Sequence, residues 1–210
     1  MVRACLAALV VLAGTPAVER DGVVAGLQSW LDGTATLDMR FRQSLVSGAL
    51  GTSSTESGRL YLERPGKVRW DYLDPEKKIA LLLGDRTALY LEEDRQLTRS
   101  RLRGDQGMFP RLIAGRDRID ALFTASVIAT PSGSGRGSYR LRLVPKGASA
   151  ALGEVTLTLR PPAFSIEAAE LVDEAGNRTT YTFSEVRRNR ALPVGLFAFE
   201  PPPGTEVVDE

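Results

Sequence analysis

For most of its length the chain alternates apolar and polar residues with a period of two. Leu37, Met39 and Phe41 alternate with Asp38, Arg40 and Arg42; Leu60 and Leu62 alternate with Arg59, Tyr61 and Glu63. Val68, Trp70 and Tyr72 alternate with Lys67, Arg69 and Asp71, and the rhythm returns at Tyr139, Leu141 and Leu143 and at Val155, Leu157 and Leu159. Successive side chains of an extended strand point to opposite faces, so each run predicts an antiparallel strand with one apolar and one wet face. Turn signals separate the runs at Arg64-Pro65-Gly66, at Leu83-Gly84-Asp85, and from Asp173 to Asn177 before a strand at Tyr181 and Phe183. About ten strands at hairpin spacing predict a mainly β fold built on a single sandwich or barrel-like sheet.

Two stretches keep a helical rhythm instead. Val23, Val24, Leu27, Trp30 and Leu31 predict one amphipathic helix, ended by Asp32-Gly33. Between Gly107 and Phe123, the residues Met108, Phe109, Leu112, Ile113, Ile119, Leu122 and Phe123 predict two short helical pieces parted by Gly115-Arg116-Asp117. A sheet with one apolar face needs a cover, and these two elements are the available ones. The stretch from Pro131 to Gly137 reads as a loop, since strands of the same kind resume after it.

The first residues differ from the rest. Met1-Val2-Arg3 precedes a ten-residue apolar run, Ala4 to Ala13, and the small residues Gly14-Thr15-Pro16-Ala17 follow. That pattern predicts a secretory signal over residues 1–17 and a single domain over 18–210. Ten residues are too few to span a bilayer; a buried first helix is the alternative. Cys5 lies near the start of the apolar run, whereas a lipid-modified cysteine would follow it, and reads as an ordinary member of the run.

Composition then narrows the chemistry. Lys+Arg 27 against Asp+Glu 26 leaves no basic excess to draw the chain to nucleic acid. With His 0 and Cys 1 among 210 residues, imidazole-based nucleophilic catalysis is excluded, and so are the usual ligands of zinc, copper and iron. Loss of residues 1–17 would remove Arg3, the cysteine and the net charge together. Glu92-Glu93-Asp94 falls in an expected hairpin loop, and Arg99, Arg101 and Arg103 alternate as a solvated strand face would.

Certain residues carry a resemblance. Phe41-Arg42-Gln43 precedes the block Arg64-Pro65-Gly66-Lys67-Val68-Arg69-Trp70-Asp71-Tyr72, with Asp74-Pro75 behind it, then Leu83-Gly84-Asp85 and Gln96-Leu97-Thr98. The chain closes with Asp173, Gly176-Asn177, Asn189, and Phe197-Ala198-Phe199-Glu200-Pro201-Pro202 before Gly204. In this order the blocks resemble the LolA family of periplasmic carriers of outer-membrane lipoproteins. The position of Val68 is commonly a larger aromatic in that family.

The resemblance implies an unclosed antiparallel β-barrel whose apolar concave face lies under a helical lid. It implies acyl chains held between the two, against Leu37, Met39, Phe41, Leu60, Leu62, Val68, Trp70 and Tyr72 of the sheet and Met108, Phe109, Leu112 and Ile113 of the lid. Arg64 takes the place of the arginine that latches the lid by bonding its carbonyls. The implied cargo is a triacylated lipoprotein, received from an ATP-driven inner-membrane transporter and passed to an outer-membrane acceptor. No catalytic residue, metal, cofactor or nucleic acid is implied, and the chain is expected to act as a monomer. Two rivals stand beside this reading: a binding module for another lipid on the same fold, and a glycoside hydrolase with two facing carboxylates. The family's acceptor protein is itself lipidated, which the lack of a cysteine after the apolar run argues against.

Overall fold

The computed structural model describes residues 16–49, 51–102, 112–115, 117–130, 137–147 and 152–210, with only the backbone of residues 16–18. A helix, α1 (Pro16–Asp32), leads into six strands: β1 (Thr36–Val46), β2 (Ser53–Glu63), β3 (Lys67–Asp74), β4 (Lys78–Leu83), β5 (Arg86–Leu91) and β6 (Gln96–Arg101). A short helix, α2 (Ile119–Leu122), precedes β7 (Phe123–Ala129), β8 (Tyr139–Pro145), β9 (Glu154–Arg160), β10 (Ser165–Val172), β11 (Arg178–Arg188) and β12 (Glu206–Asp209). The helix α1 starts ahead of the predicted Val23, so the expected cut after Ala17 falls in its first turn. Phe123, expected to end a helical piece, opens β7 instead.

The twelve strands form one sheet in the order β12-β6-β5-β4-β3-β2-β1-β11-β10-β9-β8-β7. Two antiparallel meanders, β1 to β6 and β7 to β11, meet where β1 pairs with β11, and β12 adds parallel to β6. Gly66 and Gly84, with φ of 77° and 69°, supply the left-handed conformation at two of the tight connections. The alternation read from the sequence sets which side each residue faces. Leu37, Met39 and Phe41 on β1, Leu60 and Leu62 on β2, and Leu157 and Leu159 on β9 are buried in one core.

That core lies on the concave side, and α1 covers it with Val23, Leu27, Trp30 and Leu31. The helix sits close: a Cβ on Gly26 would lie 2.3 Å from the Phe164 ring. Its C-terminal end is tied to the sheet by Asn189, which has a φ of 57°. The Asn189 side chain accepts from the Ala35 amide at 2.8 Å and donates to the Gly33 carbonyl at 2.9 Å.

The convex face carries a second, smaller apolar patch. The run Ile79-Ala80-Leu81-Leu82-Leu83 is apolar on both sides of β4 because both sides are covered. Leu81, Tyr90 and Leu97 are buried on the outer side, where the segment after β11 crosses back. Phe199 packs on Tyr90 with ring centroids 5.2 Å apart, and Arg69 donates to the Leu196 carbonyl at 2.7 Å.

Candidate functional site

The concave core is not filled. A cavity of about 270 Å³ lies between the sheet and its helical cover. Strands β1 and β2 contribute Leu37, Met39, Leu60 and Leu62; β3 and β4 contribute Trp70, Tyr72 and Ala80. Ile166, Leu171, Tyr181 and Phe183 come from β10 and β11, and Trp30, Leu31 and Ile113 from the cover. The side chains are aliphatic, thioether or aromatic, so the only nitrogen and oxygen atoms they bring are two phenol hydroxyls and two indole N–H groups. Such a lining has nothing to do chemically except exclude water and accept apolar groups.

Seven expected site residues line the cavity: Leu37, Met39, Leu60, Leu62, Trp70, Tyr72 and Ile113. Phe41, Val68 and Leu112 are buried beside it rather than on its surface. The Phe41 ring stands edge-on to Tyr72 at 4.9 Å and backs the wall. The two rings meet across Gly58, which pairs with both residues and offers no side chain between them. Met108 and Phe109 lie outside the described residues. Sequence reasoning missed Trp30, Leu31, Ala80, Ile166, Leu171, Tyr181 and Phe183 as lining residues. The period-two signal at Tyr181 and Phe183 was present; what it lacked was the pairing of β11 with β1, a contact between opposite ends of the chain.

At the end of the cavity nearest the cover, Arg64 donates from Nη2 to the carbonyl of Ile113 at 2.9 Å. The Gly66 amide donates to the Ala114 carbonyl at 3.1 Å, so the β2–β3 turn holds residues 112–115 at two points. Arg64 Nε is buried without a hydrogen-bond partner among the described residues. Burial pulls the guanidinium's pKa below its ordinary value, and the charge of Asp32 opposes that shift. Gln28 joins the two parts of the cover: its Oε1 accepts from the Ile119 amide at 3.1 Å, and its Nε2 donates to Asp32 at 2.7 Å.

No group of three or more histidine, cysteine or carboxylate residues is placed to hold a metal among the described residues. Glu92, Glu93 and Asp94 are exposed in the β5–β6 turn. No helix among the described residues is long and apolar enough to cross a membrane.

Known proteins share both sequence and fold with this chain. The family profile described as outer membrane lipoprotein carrier protein LolA matches residues 32–200. An outer-membrane lipoprotein carrier protein of Dechloromonas aromatica is 30% identical over 196 residues, 93% of this chain and 91% of that protein. One from Chromobacterium violaceum is 30% identical over 204 residues, 97% and 95% of the two chains. The crystal structure of an uncharacterized conserved protein from Thermus thermophilus superposes with a TM-score of 0.58 at 12% identity, over 90% of this chain and 98% of that one, a likeness of fold alone. With a profile match running from the end of α1 past β11, and an open sheet curved around an apolar hollow, the chain belongs to the LolA family.

Proposed function

We propose that this chain is a periplasmic carrier of lipoproteins, holding their acyl chains between the concave sheet and its helical cover. The observation that carries the reading is the partly open apolar cavity there. Relatives named as outer-membrane lipoprotein carrier proteins support the choice of cargo. A chain of about fifteen methylenes resists transfer to water by roughly 12 kcal/mol at about 0.8 kcal/mol each, which an enclosed cavity can offset and an open surface cannot. The cavity, at about 270 Å³, is smaller than the ~300–1,000 Å³ that suits a drug-sized ligand. A guest with several acyl chains needs more room than this, which outward movement of the cover would give.

Arg64 acts as the latch of that movement. A hydrogen bond from a charged donor is worth about 1.5–3 kcal/mol, enough to bias closure and small enough to be reversed by a partner. Leu37, Met39, Leu60, Leu62, Trp70 and Tyr72 meet the acyl chains from the sheet, with Phe41 and Val68 behind them. Ile113 meets them from the lid with Leu112 behind it, and Met108 and Phe109, assigned to the same surface by the family resemblance, lie outside the described residues. Residues 1–17 act as the secretory signal, and residues 18–210 form the carrier domain. It catalyses no reaction and works as a monomer between an ATP-driven inner-membrane transporter and an outer-membrane acceptor.

Native mass spectrometry of the chain purified from the periplasm of its own host tests this. The expected result is an added mass matching a triacylated lipoprotein. A bound free phospholipid would reassign the cavity to lipid binding. A bare chain that also fails to bind a fluorescent apolar probe would reduce the lining to ordinary core.

A further inference from the structure

Five adjacent strands each place one polar residue in a band across the concave face, stepped by two residues between β3 and β2, where Tyr72 pairs with Gly58 and not with Glu56. Lys78 on β4 pairs with Tyr72 on β3; Gln43 on β1 pairs with Glu56 on β2 and Tyr181 on β11. The residues are joined to one another. Lys78 donates to Glu56 and sits 4.4 Å above the centre of the Tyr72 ring, and the Tyr72 hydroxyl donates to Gln43 Oε1 at 2.9 Å. The Lys78 and Glu56 side chains are 20% and 18% exposed, so neither is free in water.

The position of the row matters as much as its bonds. Along β1 the inward residues run Leu37, Met39, Phe41, Gln43, Leu45. Leu37 faces the covered end near Arg64, and Leu45 is 41% exposed. At about 3.4 Å per residue, Gln43 lies about 20 Å along the strand from Leu37, one step before open solvent. Tyr72 and Tyr181 belong to both the cavity lining and the row. The apolar hollow therefore ends in a polar collar on the side away from the cover. A plain sheet core has no use for an ion pair there, because two apolar residues of similar volume would serve stability as well or better.

We propose that Gln43, Glu56, Tyr72, Lys78 and Tyr181 form a subsite for the neutral ester and amide linkages at the head of the acyl chains. This rests on the carrier reading above. An acyl tail drawn into the cavity brings its carbonyls to the mouth, where they lose water and need donors. The Lys78 ammonium has three N–H donors and gives one to Glu56, and the Gln43 amide nitrogen and the Tyr181 hydroxyl can also donate. Glu56 can accept from the amide N–H of an acylated amino terminus. The row carries one positive and one negative charge, already paired, so it suits a neutral linkage better than a phosphate.

The test compares two ligands on the full-length mature chain: a synthetic triacylated cysteinyl peptide and a small fluorescent apolar probe. The variant is Glu56→Gln with Lys78→Met, since removing both partners leaves no buried charge unpaired. Tyr181→Phe, which keeps the ring, is the second variant. The expected result for the double variant is a roughly tenfold loss of affinity for the peptide with probe binding within twofold of wild type. Tyr181→Phe, whose ring also lines the cavity, is read on the peptide alone and should lose affinity by a smaller factor. Peptide affinity unchanged in both variants overturns the proposal, as does an equal loss for both ligands in the double variant, which would make the row a support of cavity shape. If the unaltered protein binds the probe but not the peptide, the carrier reading itself fails.

Discussion

The guanidinium of Arg64 reaches across 49 residues of sequence to the main-chain oxygen of Ile113, 2.9 Å away. Its acceptor is a backbone atom, so the contact fixes where the cover sits without depending on any side chain there. Arg64→Leu removes this bond and leaves the Gly66–Ala114 bond in place. With a charged hydrogen bond worth about 1.5–3 kcal/mol, opening of the cover should become about ten- to a hundredfold more frequent. Amide exchange over residues 112–122 checks this, and exchange equal to wild type would remove Arg64 from the latch.

Gly115 tests the same contact from the other side. Its φ is +71°, and a Cβ there would lie 2.3 Å from Arg64 Nη1. Gly115→Ala should destabilise by about 1–2 kcal/mol through the left-handed backbone alone, and by more because the guanidinium is pushed aside. In an Arg64→Ala background the second part disappears. Urea unfolding of the four proteins in the cycle gives the coupling, and strict additivity would show that the two residues do not press on each other.

Gly58 is required by backbone packing. A Cβ there would lie 2.0 Å from the Asp71 carbonyl oxygen, where strands β2 and β3 shift register. The obstacle is main chain and cannot swing away, so Gly58→Ala should cost about 2 kcal/mol or more. The thermal midpoint should fall with it. The Phe41–Tyr72 contact should loosen too, read as a change in near-ultraviolet circular dichroism; a variant as stable as wild type would contradict the clash.

The tyrosines of the collar set a limit at high pH. Burial holds the pKa of Tyr72 and of Tyr181 above the usual 10.0, and the charge of Glu56 adds to both shifts. In the unfolded chain each phenol ionises near its usual value, while in the folded chain it keeps its proton. The folded state thus binds more protons above that value, and stability falls as pH rises there; below it the contribution is intact. Tyr72→Phe removes one such group, so its loss of stability between about pH 9 and pH 11 should be shallower than that of wild type. Below about pH 9 it should also be about 1 kcal/mol less stable than wild type through the lost bond to Gln43. Urea midpoints at the two pH values decide it, and parallel losses in both proteins would refute the prediction.

How much of this was legible in the sequence depends on the range of the interaction. Leu37, Met39, Leu60, Leu62 and Trp70 were placed on one apolar face by alternation, because strand geometry admits only two faces, and the family resemblance made that face the wall of a cavity. The β2–β3 hairpin was equally local, marked by Arg64-Pro65-Gly66. Alternation cannot separate a residue that faces a void from one packed behind it, and Phe41 and Val68 fall on the packed side of that line. Tyr181 and Phe183 joined the site through the β1–β11 pairing, which no local pattern encodes. The outer patch of Leu81, Tyr90 and Leu97 was hidden in a continuous apolar run, and it became interpretable once Phe199 was seen to lie across it.

The edge strands β7 and β12 stand at opposite ends of the sheet and, among the described residues, do not pair with each other. In a closed barrel the strand number and stagger fix the diameter. Without closure, the bending stiffness of a twisted sheet decides how far the trough gapes, and no ladder bond has to break for it to widen. Capacity becomes an elastic variable. On the proposed carrier reading, a bulkier guest would be accommodated by splaying the sheet as well as by moving the cover. The seam left open between β7 and β12 thus leaves the width of the hollow to the bend of the sheet rather than to the number of strands.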